Sequence, residues 1–218
     1  MEVRGIMDKE FSGKLGNFVF YQRNGKTFVR RVAIPGKPRK WETDGRTERQ
    51  KAVTNRFGKL QQLYRFYRER VSADIWRLAG REEGKTSSNL FHSVNHACFD
   101  GEGRMTKPEL FQFSRGILVL PPALRVESLG EARFRVTWGA EEEYARAAGS
   151  DRLQVGVLYD GNMPATRLAL SVEGRRADGQ GEFLLERYPS GGAHVYLFFA
   201  REDGTAYSPS FYTRVEAL

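Results

Sequence analysis

The chain has 218 residues, 40% of them hydrophobic, with 35 Lys and Arg against 27 Asp and Glu. That is enough apolar material for one large domain or two small ones, and it excludes disorder throughout. No run of about 18 apolar residues is available to span a bilayer, the opening Met1-Glu2-Val3-Arg4 lacks the apolar stretch of a secretory signal, and a single cysteine, Cys98, excludes an internal disulfide, so a cytoplasmic location is expected.

The charge is unevenly spread. Residues 1 to 110 hold 23 cationic and 13 acidic side chains, a balance of +10, whereas residues 111 to 218 hold 12 and 14, a balance of −2. Within 11 to 70 the count is 16 against 4. Such asymmetry suits a polyanion or an acidic protein surface as partner of the N-terminal part; a plain solvated basic surface is the alternative.

Along the chain, the strongest local signal is the stretch Phe11 to Val32, where two runs rich in aromatic and β-branched residues flank Asn24-Gly25. That dipeptide takes the φ > 0 pair of a type I′ turn, so a two-residue hairpin is predicted. Its register follows: Phe20 opposes Val29, Tyr21 opposes Phe28, Phe18 opposes Arg31 and Val19 opposes Arg30. Both faces are then half apolar. The hairpin is either sandwiched inside the protein or keeps an aromatic, arginine-edged face for a partner.

Next, Ile34-Pro35-Gly36-Lys37-Pro38-Arg39-Lys40 cannot form regular structure and is a connector or a basic arm able to track phosphates. A helix is predicted over about Thr47 to Val71, with Val53, Phe57, Leu60, Tyr64, Tyr67 and Val71 in one stripe and Asp44 as cap. Ser72 caps a short second helix through Leu78 closed by Gly80, and Ser87 or Ser88 caps a third over Asn89 to Cys98. The tyrosines and Trp76 could stack bases, but aromatics at helical spacing are more often core.

Beyond Pro108 the period changes. Short strand-like segments lie at 116–120, 132–138, 153–159, 167–172, 182–188, 194–200 and 207–215, separated by turn signals, and seven such segments predict an antiparallel sandwich. Arg133-Phe134-Arg135-Val136-Thr137-Trp138 resembles the second strand of a fibronectin type III domain, which ends in a core tryptophan. Val195 to Ala200, followed by Asp203-Gly204 and Ser208-Pro209-Ser210, is similar to that fold's last hairpin. The resemblance spans roughly 120 to 218 and carries no chemistry by itself.

Chemical motifs are weak. Gly80-x3-Gly84-Lys85-Thr86 is one residue short of a phosphate-binding loop and follows a helix where that loop needs a strand. His92 and His96 share a helix face and could take zinc, but a third ligand is lacking in the pattern and no His-Glu-x-x-His is present. Cys98, beside Ala97 and Phe99, is expected to be buried and inert. Glu141-Glu142-Glu143 is a solvated turn, and no nucleophile elbow, calcium loop or dinucleotide fingerprint occurs. No catalytic residue, metal or cofactor is assigned, and a non-enzymatic role is expected.

Phe11-Ser12-Gly13-Lys14-Leu15-Gly16-Asn17, the hairpin ending Gly25-Lys26-Thr27-Phe28-Val29-Arg30, the helix start Thr47-Glu48-Arg49-Gln50 and Asn89-Leu90-Phe91 together resemble a family of uncharacterised small proteins common in Bacteroidota-type bacteria. The resemblance implies a basic hairpin, then helices, then a β-rich half, and it supplies no catalytic residues.

The resulting expectation is an α+β protein, with a basic hairpin-plus-helices region over 1–108 and a fibronectin- or immunoglobulin-like β-sandwich over 109–218. The expected function is binding of nucleic acid. Arg23, Lys26, Arg30, Arg31, Lys37, Arg39 and Lys40 would neutralise phosphates, and Tyr21 or Phe28 would stack. The competing expectation is a component of a protein assembly, phage-like or part of a surface machine, that uses hairpin and sandwich for protein contacts or self-association.

Overall fold

Three short strands, β1 (Gly13–Leu15), β2 (Phe18–Arg23) and β3 (Lys26–Arg31), form an antiparallel sheet in the order β1-β2-β3. The β2–β3 register pairs Phe18 with Arg31, Val19 with Arg30, Phe20 with Val29 and Tyr21 with Phe28, as the two-residue turn predicts. Gly25 has φ 70°, the left-handed conformation that a primed turn needs. The computed structural model describes residues 12–23, 25–32, 47–139, 145–159, 166–186 and 192–216. Asn24, the arm with Lys37, Arg39 and Lys40, the expected cap Asp44 and the Glu141 to Glu143 turn lie outside them.

The chain divides into two units, Met1–Thr47 and Glu48–Leu218. Residue 108, taken above as the end of the first region, falls inside the second unit. That unit holds helices α1 (Glu48–Arg70), α2 (Asp74–Glu82) and α3 (Ser87–Asn95), then strands β4 (Arg125–Gly130), β5 (Arg133–Thr137), β6 (Arg152–Tyr159), β7 (Arg167–Leu168), β8 (Leu170–Glu173), β9 (Gln180–Leu184), β10 (Ala193–Ala200) and β11 (Phe211–Val215). Mixed α and β structure is therefore present, with every strand pairing antiparallel.

Helix ends follow local chemistry. The Ser72 hydroxyl accepts from the Asp74 and Ile75 amides, at 3.0 and 3.4 Å. The third helix is capped by Thr86, not by Ser87 or Ser88: Thr86 has the extended backbone (φ −73°, ψ 148°) that a cap requires, and its hydroxyl accepts from the Asn89 amide at 3.4 Å. Helix α2 runs past Gly80, where a Cβ would stand 2.8 Å from the Lys85 carbonyl oxygen, so glycine is needed for close approach of the next segment. The Lys85 ammonium pairs with Glu83, and the phosphate-loop lookalike is a helix end.

In α1 the buried stripe is Leu60, Leu63, Tyr64 and Tyr67. Val53 and Phe57, expected in the same stripe, are 60% and 59% exposed because the core of this unit starts at Leu60.

Two four-stranded sheets, ordered β4-β5-β9-β8 and β11-β10-β6-β7, share a core of Phe134, Val136, Phe183, Val155, Val157, Val195, Leu197 and Phe199, among others. A second core takes Tyr196, Phe198 and Leu158 from the other face of β10 and β6 and packs them with Tyr67, Trp76, Phe91, Phe111 and Phe113. Strand β10 is thus buried at every position, which explains its unbroken apolar sequence. At Gly156 a Cβ would lie 2.5 Å from the Phe113 ring, so the ring fits only because glycine leaves the space.

The segment joining helices to strands is stitched into this core. The Tyr67 hydroxyl donates to the Phe113 carbonyl and the Tyr196 hydroxyl to the Pro108 carbonyl, both at 2.8 Å. Asn95 donates to the Gln112 carbonyl at 3.2 Å and accepts from its amide at 2.8 Å. The expected strand at 116–120 does not form; there Leu118 and Val119 donate singly to Tyr207 and Arg146. The first strand of the sheets is β4 instead, an edge strand with Leu129 exposed and only Val126 half-buried.

One buried ion pair ties loops to the sheets. Arg176 Nε donates to Asp151 Oδ2 at 3.2 Å, Arg176 Nη2 donates to the Val119 carbonyl at 2.6 Å, and the guanidinium lies 4.7 Å above the Phe199 ring centre. Removing one partner strands a charge in the interior. Asp151→Ala is therefore expected to lower the unfolding free energy by about 3–5 kcal/mol in chemical denaturation, and the double replacement Asp151→Ala with Arg176→Met is expected to recover much of that loss.

Candidate nucleic-acid interface

Directly opposed residues of an antiparallel sheet share a face, so the pairings sort the first unit's side chains. Lys14 opposes Val19 and Val19 opposes Arg30; Tyr21 opposes Phe28; Arg23 opposes Lys26. These three rows form one face, basic at both ends and aromatic in the middle. The other face carries Leu15, Phe18 and Arg31, then Gly13, Phe20 and Val29, then Gln22 and Thr27.

Of the residues assigned to the site from sequence, Tyr21, Arg23, Lys26, Phe28 and Arg30 are brought together. Arg31 is not: its opposition to Phe18 puts it on the apolar face with Leu15, one residue out of phase with Arg30. Lys37, Arg39 and Lys40 fall outside the described residues. Lys14 is a member that the sequence reading missed. Its signal is Gly16-Asn17, a second two-residue turn, which brings Gly13–Leu15 alongside β2 as a third strand.

The Tyr21 and Phe28 rings stack with centroids 5.7 Å apart and planes 21° apart, and Tyr21 is 40% exposed. No Asp or Glu occurs between Glu10 and Glu42, so the described hairpin carries only positive charge. An array of this kind attracts anions and offers flat apolar surface within the same few square nanometres.

Tyr64, Tyr67 and Trp76 are buried and offer no stacking surface. The His92 ring sits 4.5 Å from Phe57 in a tilted contact, with both ring nitrogens buried and unpartnered, while His96 Nδ1 lies 3.0 Å from the Ser93 carbonyl oxygen. Among the described residues no group of three His, Cys, Asp or Glu side chains is placed to hold a metal. No described helix is long and apolar enough to cross a membrane.

Burial lowers the His92 pKa and, with the nearby Glu109 charge, pushes the Cys98 thiol up to about 12. Since the unfolded chain binds a proton at His92 more readily than the folded one, stability is fully present above the ordinary imidazole value of 6.5 and falls as pH drops toward the lowered folded value. Urea titrations should show this acid-side slope reduced in His92→Phe; an unchanged slope would assign the effect to another group. A thiol reagent at mildly alkaline pH should label Cys98 only after denaturation, and rapid labelling of the native protein would refute its burial.

No protein family, curated protein or solved structure matches the chain in comparisons by sequence and by fold.

Proposed function

We propose that this is a non-enzymatic binding protein whose basic N-terminal hairpin contacts nucleic acid. The observation that carries the reading is the three-row face: Lys14 and Arg30 at one end, Arg23 and Lys26 at the other, and the stacked Tyr21 and Phe28 between them. Cations at this spacing displace counterions from a phosphate backbone, and the exposed ring adds contact that does not depend on salt.

The second unit is read as an immunoglobulin- or fibronectin-like body serving as spacer or second contact surface. Supporting this, its strand order β4-β5-β9-β8 and β11-β10-β6-β7 corresponds to A-B-E-D facing G-F-C-C′. Trp138, immediately after β5, packs edge-on to Phe199 with ring centres 5.2 Å apart. The architecture supports a scaffold and brings no chemistry of its own.

A second reading, assembly through strand addition, is favoured by one observation. Strand β3 ends the hairpin sheet, so its outer edge has no neighbouring strand among the described residues.

Fluorescence polarisation with labelled random-sequence DNA and RNA at low and high salt tests the first reading. Affinity should fall with salt, with a slope of about 0.7–0.9 per engaged cation, and Lys26→Gln with Arg30→Gln should lower both the affinity and the slope. Absence of binding even at low salt would overturn it. Sizing of the free protein tests the second: a strictly monomeric species that retains no partner strand speaks against assembly.

A further inference from the structure

We infer that the Tyr21 side of the hairpin face is a stacking platform for single-stranded nucleic acid, and that duplexes are poor ligands. This rests on the nucleic-acid reading above and narrows its partner class.

The two rings already form a near-parallel stack, which leaves one outer flank on each. Tyr21 is the exposed member. Strand β1 begins at Gly13, opposite Phe20, so among the described residues no strand residue opposes Tyr21 on that side. A planar base laid against that flank continues the stack.

The cations are placed to hold the strand that carries the base. The Lys14–Arg30 row and the Arg23–Lys26 row lie two residues on either side of the aromatic row. At about 3.4 Å per residue each is roughly 7 Å from the rings. A backbone running along the hairpin would therefore meet positive charge before and after the stacked base, with no carboxylate from this segment to repel it.

A duplex cannot use the same layout. Its base faces are covered by their neighbours, and only groove edges and phosphates are offered. A ribbon that reads groove edges needs several donors and acceptors in the middle of its face, where this one has Val19, Phe28 and a single phenol on Tyr21. Unstacked single strands expose the base faces that such rings recognise.

The test uses the full chain and fluorescence anisotropy with four ligands of equal length: oligo-dT, oligo-U, a blunt duplex, and an abasic oligodeoxynucleotide that keeps the phosphates and lacks the bases. The dT or U strand should bind at least about tenfold more tightly than the abasic strand and more tightly than the duplex, and the dT-to-U ratio identifies DNA or RNA as the source. Tyr21→Ala should produce a similar loss with the salt slope unchanged, and Tyr21→Phe should retain affinity. By contrast, Lys14→Gln should lower the slope by about 0.7. Equal affinity for abasic and base-bearing strands, or duplex binding as tight as single-strand binding, would overturn the platform while leaving nucleic-acid binding intact. Failure of every ligand to bind at low salt would bring down the nucleic-acid reading itself. The abasic arm uses the wild-type protein, so the inference stays testable even if Tyr21→Ala disturbs the hairpin.

Discussion

The second unit depends on one strand being covered on both sides. In β10, Val195, Leu197 and Phe199 enter the core between the two sheets, and Tyr196 and Phe198 enter the core shared with the helices. An antiparallel strand usually leaves one face to water. Here neither face is available, so helices and sheets fold around a common element and neither layer has a complete core without β10. The details around it follow from that double burial. Gly156 on the neighbouring strand has no side chain because the Phe113 ring fills the position, and the Tyr67 and Tyr196 hydroxyls each satisfy a carbonyl of the crossing segment. Burying a polar group without a partner costs free energy, and these two hydroxyls each answer a buried carbonyl while their rings contribute apolar surface.

Local patterns and long-range partners together decide which parts of the fold were legible in the sequence. The hairpin register was legible because a two-residue turn fixes it locally, and β10 was legible because eight successive buried residues leave an apolar run. The segment 108–120 was not. The change of period at Pro108 and the apolar residues 116–120 suggested a boundary followed by a strand, but the backbone of Pro108, Gln112 and Phe113 is satisfied by side chains distant in sequence: Asn95, Ser210 and the two tyrosines. No local pattern encodes such partners. Strand β4 was missed for the opposite reason, since an edge strand with one half-buried residue has almost no alternation to read. Val53 and Phe57 continue the periodicity of α1 beyond the point where the unit's core ends, so helical spacing alone overstates what is buried.

The candidate site was legible residue by residue and incomplete as a surface. Composition identified the cations and aromatics, yet a surface is defined by which of them share a face. Arg30 and Arg31 look equivalent in a list of basic residues; pairing with Val19 and Phe18 puts them on opposite sides. Lys14 lies outside the two runs that flank Asn24-Gly25 and is the third member of the Arg30 row. Both corrections follow from strand parity, and the second also needs the Gly16-Asn17 turn to be recognised.

Parity also shows how narrowly the face is specified. Two residues separate Arg23 from Lys26, and that number alone sets Tyr21 against Phe28. Shifting β3 by one residue against β2 would oppose Tyr21 to Thr27 or Val29, dissolve the ring stack, and exchange Arg30 for Arg31 on the face. The net charge of the hairpin would be unchanged. A purely electrostatic attraction to polyanions would tolerate that slip, whereas contact with a base would not. The aromatic pair is therefore the element that makes the register matter, and the turn is the element that sets the register. The ring stack is the feature of this face that a slipped register would lose.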